Sequence, residues 1–172
     1  MTIQLDFSKL TLRAALDLAI TIEEEAQLRY QEFAAQVADA GAAAFFREMV
    51  VNESKHRRQL EARRHVLFRN EPERIETSLL DDQAEAPDPA EVGPTITARE
   101  AMQVALAAEV RAFEFYDRAL PHLADADVKA FFAELREEEV EHQAMLRERL
   151  ARLPKDGEGP GAGPAPGPPA RG

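Results

Sequence analysis

The sequence predicts an all-α fold: an antiparallel four-helix bundle built from two helical hairpins, joined by a long crossover and followed by a disordered C-terminal tail. Three observations predict it. Apolar residues recur at steps of three and four in four separate stretches, the spacing of one helical face. The first half of the chain matches the second without a gap, Thr11 falling on Thr97 and Leu60 on Leu146. Pro and Gly gather outside the stripes: residues 154–172 hold six of the eleven Pro and six of the eight Gly, a composition that neither buries apolar surface nor keeps a helix.

The first stripe runs Leu12, Leu16, Ala19, Glu23, Ala26, Tyr30, Phe33, with Thr11 as its N-cap. The second runs Phe46, Met49, Glu53, His56, Leu60, Leu67, and the "DAGAA" around Gly41 predicts a short turn between the two. A spacer rich in Pro and acids follows, giving a crossover over 70–96. The third stripe, Ala98, Met102, Ala105, Glu109, Ala112, Tyr116, Ala119, opens with Thr97 and Glu100 at the spacing of a capping box. The fourth reads Val128, Phe132, Leu135, Glu139, His142, Leu146, Leu150, Leu153, set apart from the third by Pro121 and "ADAD". The bundle domain is thereby expected over 1–153, and the tail over 154–172.

The repeat explains why four helices are needed. It pairs Glu23 with Glu109, Tyr30 with Tyr116, Phe45 and Phe46 with Phe131 and Phe132, Glu53 with Glu139, and His56 with His142. One hairpin cannot cover its own apolar face, whereas two can cover each other.

Composition narrows the function. The 172-residue chain carries a net charge of −11, which argues against binding a phosphate backbone. The absence of Cys excludes disulfides and thiolate metal sites and fits a reducing compartment. No basic head precedes an apolar run at the N-terminus, and no eighteen apolar residues run together, so neither a leader nor a membrane span is expected. A cytoplasmic protein is the expectation.

Each hairpin places a Glu on its first helix and a Glu-x-x-His on its second where the stripe otherwise takes Leu or Ala. Residues three apart project from one helical face, so Glu53 with His56, and Glu139 with His142, converge on a point. In antiparallel helices, residues equidistant from the turn lie at one height. Glu23 and the Glu53–His56 pair are centred near residue 39, and Glu109 and the Glu139–His142 pair near 125, both at predicted turns. Six ionisable side chains therefore meet at one level. Four buried carboxylates without compensation would cost more than a domain's net stability. No Lys or Arg occupies the stripes there, while two divalent cations would balance the charge and take two neutral imidazoles as further ligands. Oxygen and nitrogen donors without sulfur suit iron or manganese, with zinc or cobalt as substitutes. The expected geometry has Glu53 and Glu139 bridging, Glu23 and Glu109 terminal, and His56 and His142 one on each ion. A lone Glu-x-x-His is commonplace on solvated helices; two at matched depth, in register with a whole-chain repeat, are not. The neighbouring Glu24, Glu25, Glu137, Glu138 and Glu141 are read as facing solvent, and His65 and His122, without a matched Glu, as structural.

Tyr30 and Tyr116 are the only tyrosines, each seven residues after its Glu. Phe serves as the packing aromatic elsewhere, so each phenol is expected to hydrogen-bond a ligating carboxylate of the opposite hairpin.

"AITIEEEAQLRY" with "NESKH", and "ALAAEVRAFEFY" with "REEEVEH", resemble the rubrerythrin branch of the ferritin-like superfamily over residues 10–153. The Glu-x-x-His ligand pattern is itself a recorded feature of di-iron carboxylate bundles. The resemblance implies a pair of iron ions held by Glu23, Glu53, His56, Glu109, Glu139 and His142, and reduction of peroxide or dioxygen. The alternative is a ferroxidase role in iron storage or detoxification, which begins from the same six ligands, and the subunit number stays open between a monomer or dimer and a larger homo-oligomer. The chain departs from rubrerythrins proper in two ways. It has no Cys for a rubredoxin-like iron domain, so the reductant must be a separate protein or small molecule. It also carries Ala112 where they place an additional Glu.

Overall fold

The computed structural model describes residues 5–69 and 96–154. The crossover expected over 70–96, apart from Ile96, and the tail, apart from Pro154, lie outside the described residues. Four α-helices are present among those described: α1 Leu12–Gln36, α2 Ala40–Phe68, α3 Ala98–Ala119 and α4 Ala126–Arg152, with 3-10 turns at Phe7–Lys9 and Leu120–His122. No strand occurs among them, and none of these helices is long and apolar enough to cross a membrane.

Each helix begins where a short polar side chain can satisfy free backbone N–H groups. Thr11 accepts from the Ala14 N–H, Asp39 from Ala42, Thr97 from Glu100, and Asp125 from Asp127 and Val128. These caps keep the repeat's spacing, Thr11 with Thr97 and Asp39 with Asp125. Only α3 closes the reciprocal capping box, because Glu100 reaches back to the Thr97 backbone whereas Ala14 stands at the same place in α1. Gly41 lies inside the first turn of α2 rather than in the expected connector, since Asp39 starts the helix first. The repeat breaks at the other connector: Pro121 occupies the position of Ala35, and where α1 runs on to Gln36, α3 gives way to a 3-10 turn. A proline has no N–H to continue the α-helical ladder.

Helices α1 and α2 pack antiparallel, as do α3 and α4. Arg99 ties the start of α3 to the end of α4, donating to the carbonyls of Leu150, Leu153 and Pro154 at 2.6–3.1 Å. The apolar interior falls into two bodies. One holds Leu16, Ala19, Leu60, Tyr116, Phe132 and Leu135, with Phe7 of the first 3-10 turn folded onto it. The other holds Tyr30, Phe33, Phe46, Met49, Met102 and Leu146, with Ile96 against it. Most stripe residues are buried or partly buried, but Leu67 is 41 % exposed, while Phe68 beside it packs against the first apolar body. The six ionisable residues named above lie between the two apolar bodies.

Candidate metal centre

Glu23, Glu53, His56, Glu109, Glu139 and His142 are each 1–3 % exposed. Glu23 comes from α1, Glu53 and His56 from α2, Glu109 from α3, and Glu139 and His142 from α4. The imidazoles stack with centroids 6.1 Å apart and planes 21° from parallel. Both turn Nδ1 toward the carboxylates. His56 Nδ1 lies 3.4 Å from Glu23 and 3.4 Å from Glu53. His142 Nδ1 lies 3.2 Å from Glu109, 3.4 Å from Glu53 and 3.7 Å from Glu139.

Two sets of three donors are close enough for an ion each: Glu23, Glu53 and His56, and Glu53, Glu109 and His142. Glu53 belongs to both, one oxygen facing each imidazole, as a bridging carboxylate must. Glu139 belongs to neither as the side chains stand. It sits beside His142, with its Oε2 buried and unpartnered, so the pairing expected of the two bridging glutamates is uneven.

Burial and neighbouring charges move Glu23, Glu139, His56 and His142 up and Glu53 down. Burial pushes Glu23 up to about 8, with the Glu53 charge adding to the rise and His56 opposing it. Burial likewise drives Glu139 well above the ordinary carboxylate range, aided by Glu109. At Glu53 burial acts upward too, but the hydrogen bonds from His56 and Glu23 and both imidazole charges outweigh it and hold the group low. Burial works against charge on His56, yet Glu23 and Glu53 raise it to about 10; His142 rises for the corresponding reason, through Glu109 and Glu53. Oxygens of Glu23, Glu53 and Glu139 nevertheless remain buried without a hydrogen-bond partner. Buried acceptors of this kind are costly unless something else satisfies them. A pair of oxygen- and nitrogen-seeking divalent ions fits this donor set.

The surrounding side chains break the symmetry of the repeat. The Tyr116 hydroxyl donates to Glu23 across the hairpins. The Tyr30 hydroxyl, equally buried, has no partner. The rings differ as well: Tyr116 stands edge-on to Phe132 at 87°, while Tyr30 stacks on Phe46 at 18°. Glu138, expected to face solvent, instead reaches across to contact His56 Nε2. Its counterpart in the repeat is Asn52. The approach has the distance of an ion pair but not the alignment of a hydrogen bond, since His56 Nε2 has no hydrogen-bond partner. Gln143 is buried as well, donating to the Glu109 carbonyl at 3.2 Å and accepting from Arg147 at 3.0 Å. Its one sequence signal is its place one residue after His142, four after Glu139. Glu24, Glu25, Glu137 and Glu141 are exposed.

A family model described as rubrerythrin matches residues 14–150. Among solved structures, an uncharacterized conserved protein from Magnetospirillum magnetotacticum is similar at 27 % identity, covering 85 % of this chain and 97 % of its own, with a TM-score of 0.70. A ferritin-like, diiron-carboxylate protein from Bacillus anthracis matches at 19 % identity, covering 82 % and 99 %, with a TM-score of 0.57. Rhodobacter capsulatus bacterioferritin matches at 24 % identity, covering 88 % of each chain, with a TM-score of 0.57. No curated protein matches.

Proposed function

Since the chain belongs to the rubrerythrin family, we propose that it is a di-iron carboxylate oxidoreductase that reduces hydrogen peroxide or dioxygen with electrons from an external donor. The observation that carries the reading is the sharing of Glu53 between two sets of buried donors, which is the arrangement two adjacent ions need. Glu23, Glu53 and His56 would hold one iron, and Glu53, Glu109 and His142 the other, with Glu139 turning in to complete the pair. When bound, two ferrous ions supply one electron each to a single small oxidant. Manganese would suit the same donors, and zinc would fill them without redox chemistry.

The chain's own contribution is positional. The apolar bodies above and below hold the donor layer at one height and keep bulk water from the faces of the imidazoles. Tyr116 fixes Glu23 through its hydroxyl, and Glu138 stands beside His56 Nε2 as an ion-pair neighbour without hydrogen-bond alignment. The chain holds no Cys for a thiolate-ligated iron, and a separate electron donor is part of this reading. A cytoplasmic setting with a role in oxidative stress is part of this reading.

Anaerobic loading with two equivalents of Fe(II), followed by rapid mixing with peroxide and a reductant, should give fast oxidation and repeated turnover. Accumulation of ferric mineral, with no peroxide consumed beyond the first oxidation, would overturn the reductase reading in favour of an iron-oxidising and storing protein.

A further inference from the structure

Each hairpin ties its two helices together at the level of the donor layer, through the residue that follows its histidine. In the first hairpin that residue is Arg57, whose guanidinium donates to Glu24 at 3.2 Å. The tie lies near the surface, the side chains of Arg57 and Glu24 being 28 % and 53 % exposed, and it ends on the neighbour of a donor rather than on the donor itself. In the second hairpin the repeat places Gln143 where the first has Arg57, and Val110, which offers no side-chain acceptor, where the first has Glu24. Gln143 is buried, and its amide donates instead to the main-chain carbonyl of Glu109 at 3.2 Å. A helical carbonyl keeps a second lone pair for such a bond after its intrahelical one is made. Arg147 donates to the amide oxygen of Gln143 at 3.0 Å. That contact settles which end of the amide faces Glu109, since the oxygen meets the guanidinium and the nitrogen meets the carbonyl.

We propose that Gln143 is the positioning residue of the Glu53, Glu109 and His142 site, and that it serves Glu109 as Tyr116 serves Glu23. The inference rests on the di-metal reading. Glu23 has a phenol on its carboxylate, whereas the matching hydroxyl of Tyr30 is without a partner and leaves Glu109 unheld from that side. Packing does not fix the height of α3 here either. Between Met102 and Phe115 the residues that α3 buries besides Glu109 are Ala105 and Ala112, too short to interlock with a facing helix. The Gln143 bond crosses from α4 to α3 at the donor itself, and so sets the height at which the Glu109 carboxylate meets His142 Nδ1, 3.2 Å away. The two ions are therefore held by unlike supports: a hydroxyl on the carboxylate at one, an amide on the main chain at the other.

The test is a stepwise cobalt(II) titration of the full chain, followed by calorimetry and the visible cobalt bands, with metal content measured directly. Gln143→Met keeps the length of the side chain and removes its hydrogen bonds. It should weaken one of the two binding steps by about fivefold, the scale of one neutral hydrogen bond, and leave the other unchanged. Tyr116→Phe should weaken the other step, and the double variant should show both losses added, because the two residues serve different ions. Arg147→Met, which frees the amide to turn but keeps its N–H groups, should weaken the same step as Gln143→Met by a smaller factor. Equal weakening of both steps by Gln143→Met, no change in either, or loss of the same step as in Tyr116→Phe would overturn the positioning role and leave the metal centre standing. Failure of the unaltered chain to bind two cobalt ions would overturn the di-metal reading, and this inference with it.

Discussion

At the scale of single residues, the shifted groups predict how the centre responds to pH. The folded chain holds the Glu23 proton more tightly than the unfolded chain does. Its contribution therefore favours folding below about 4.5 and is lost as pH rises through about 8. His56 acts in the same sense, its contribution complete below 6.5 and lost as pH rises through about 10. Glu53, held low, acts in reverse and loses its contribution on acidification. The metal-free protein should thus lose thermal stability between pH 6.5 and 10, while the loaded protein, whose ligands are already deprotonated, should not. Metal uptake near neutral pH should release protons, seen as a calorimetric heat that depends on the buffer's ionisation enthalpy; a buffer-independent heat would contradict these assignments. The tyrosines supply a second test. Tyr116→Phe removes the hydrogen bond to Glu23 and should weaken metal binding about tenfold in a chelator competition. Tyr30→Phe deletes a buried hydroxyl without a partner and should leave affinity unchanged while holding or raising the melting temperature. Equal losses in the two variants would show that the centre is symmetric in solution.

At the scale of elements, the caps explain why helix starts were readable while other features were not. Thr11, Thr97 and the paired stripes are visible in sequence because capping and amphipathic spacing are local rules. The Asp39 cap was masked by Gly41, whose turn propensity points to a connector where the structure continues the helix. Asp125→Ala removes an acceptor shared by two backbone N–H groups and should cost about 1 kcal/mol, or roughly 2–4 °C in thermal unfolding. Glu138 departs from the solvent-facing expectation for a different reason. Its neighbours Glu137 and Glu141 do face solvent, and only the crossing of α4 past α2 brings one acid of that run to His56. Glu138→Gln should therefore weaken the ion held by Glu23, Glu53 and His56 more than its partner, separating two binding events in a metal titration. Asn52→Ala, at the repeat position, should not reproduce that separation.

At the scale of the whole molecule, the four-helix architecture and the common depth of the six donors were legible because both follow from a gapless repeat. What the repeat could not disclose is the departure from two-fold symmetry: one tyrosine engaged and one not, and Glu139 outside both donor sets. These arise from packing between hairpins, which the spacing within one hairpin does not encode. Splitting the apolar interior into two bodies around a charged layer has a global consequence: removing the ions should lower the melting temperature of the entire bundle in one transition. The most direct measurement is metal stoichiometry, by elemental analysis after loading and desalting, in the unaltered chain and in Glu53→Ala. The account predicts two ions per chain, reduced to one or none when the shared carboxylate is lost, with helical content retained. Two tightly held ions in the Glu53→Ala protein, or none in the unaltered chain, would contradict it.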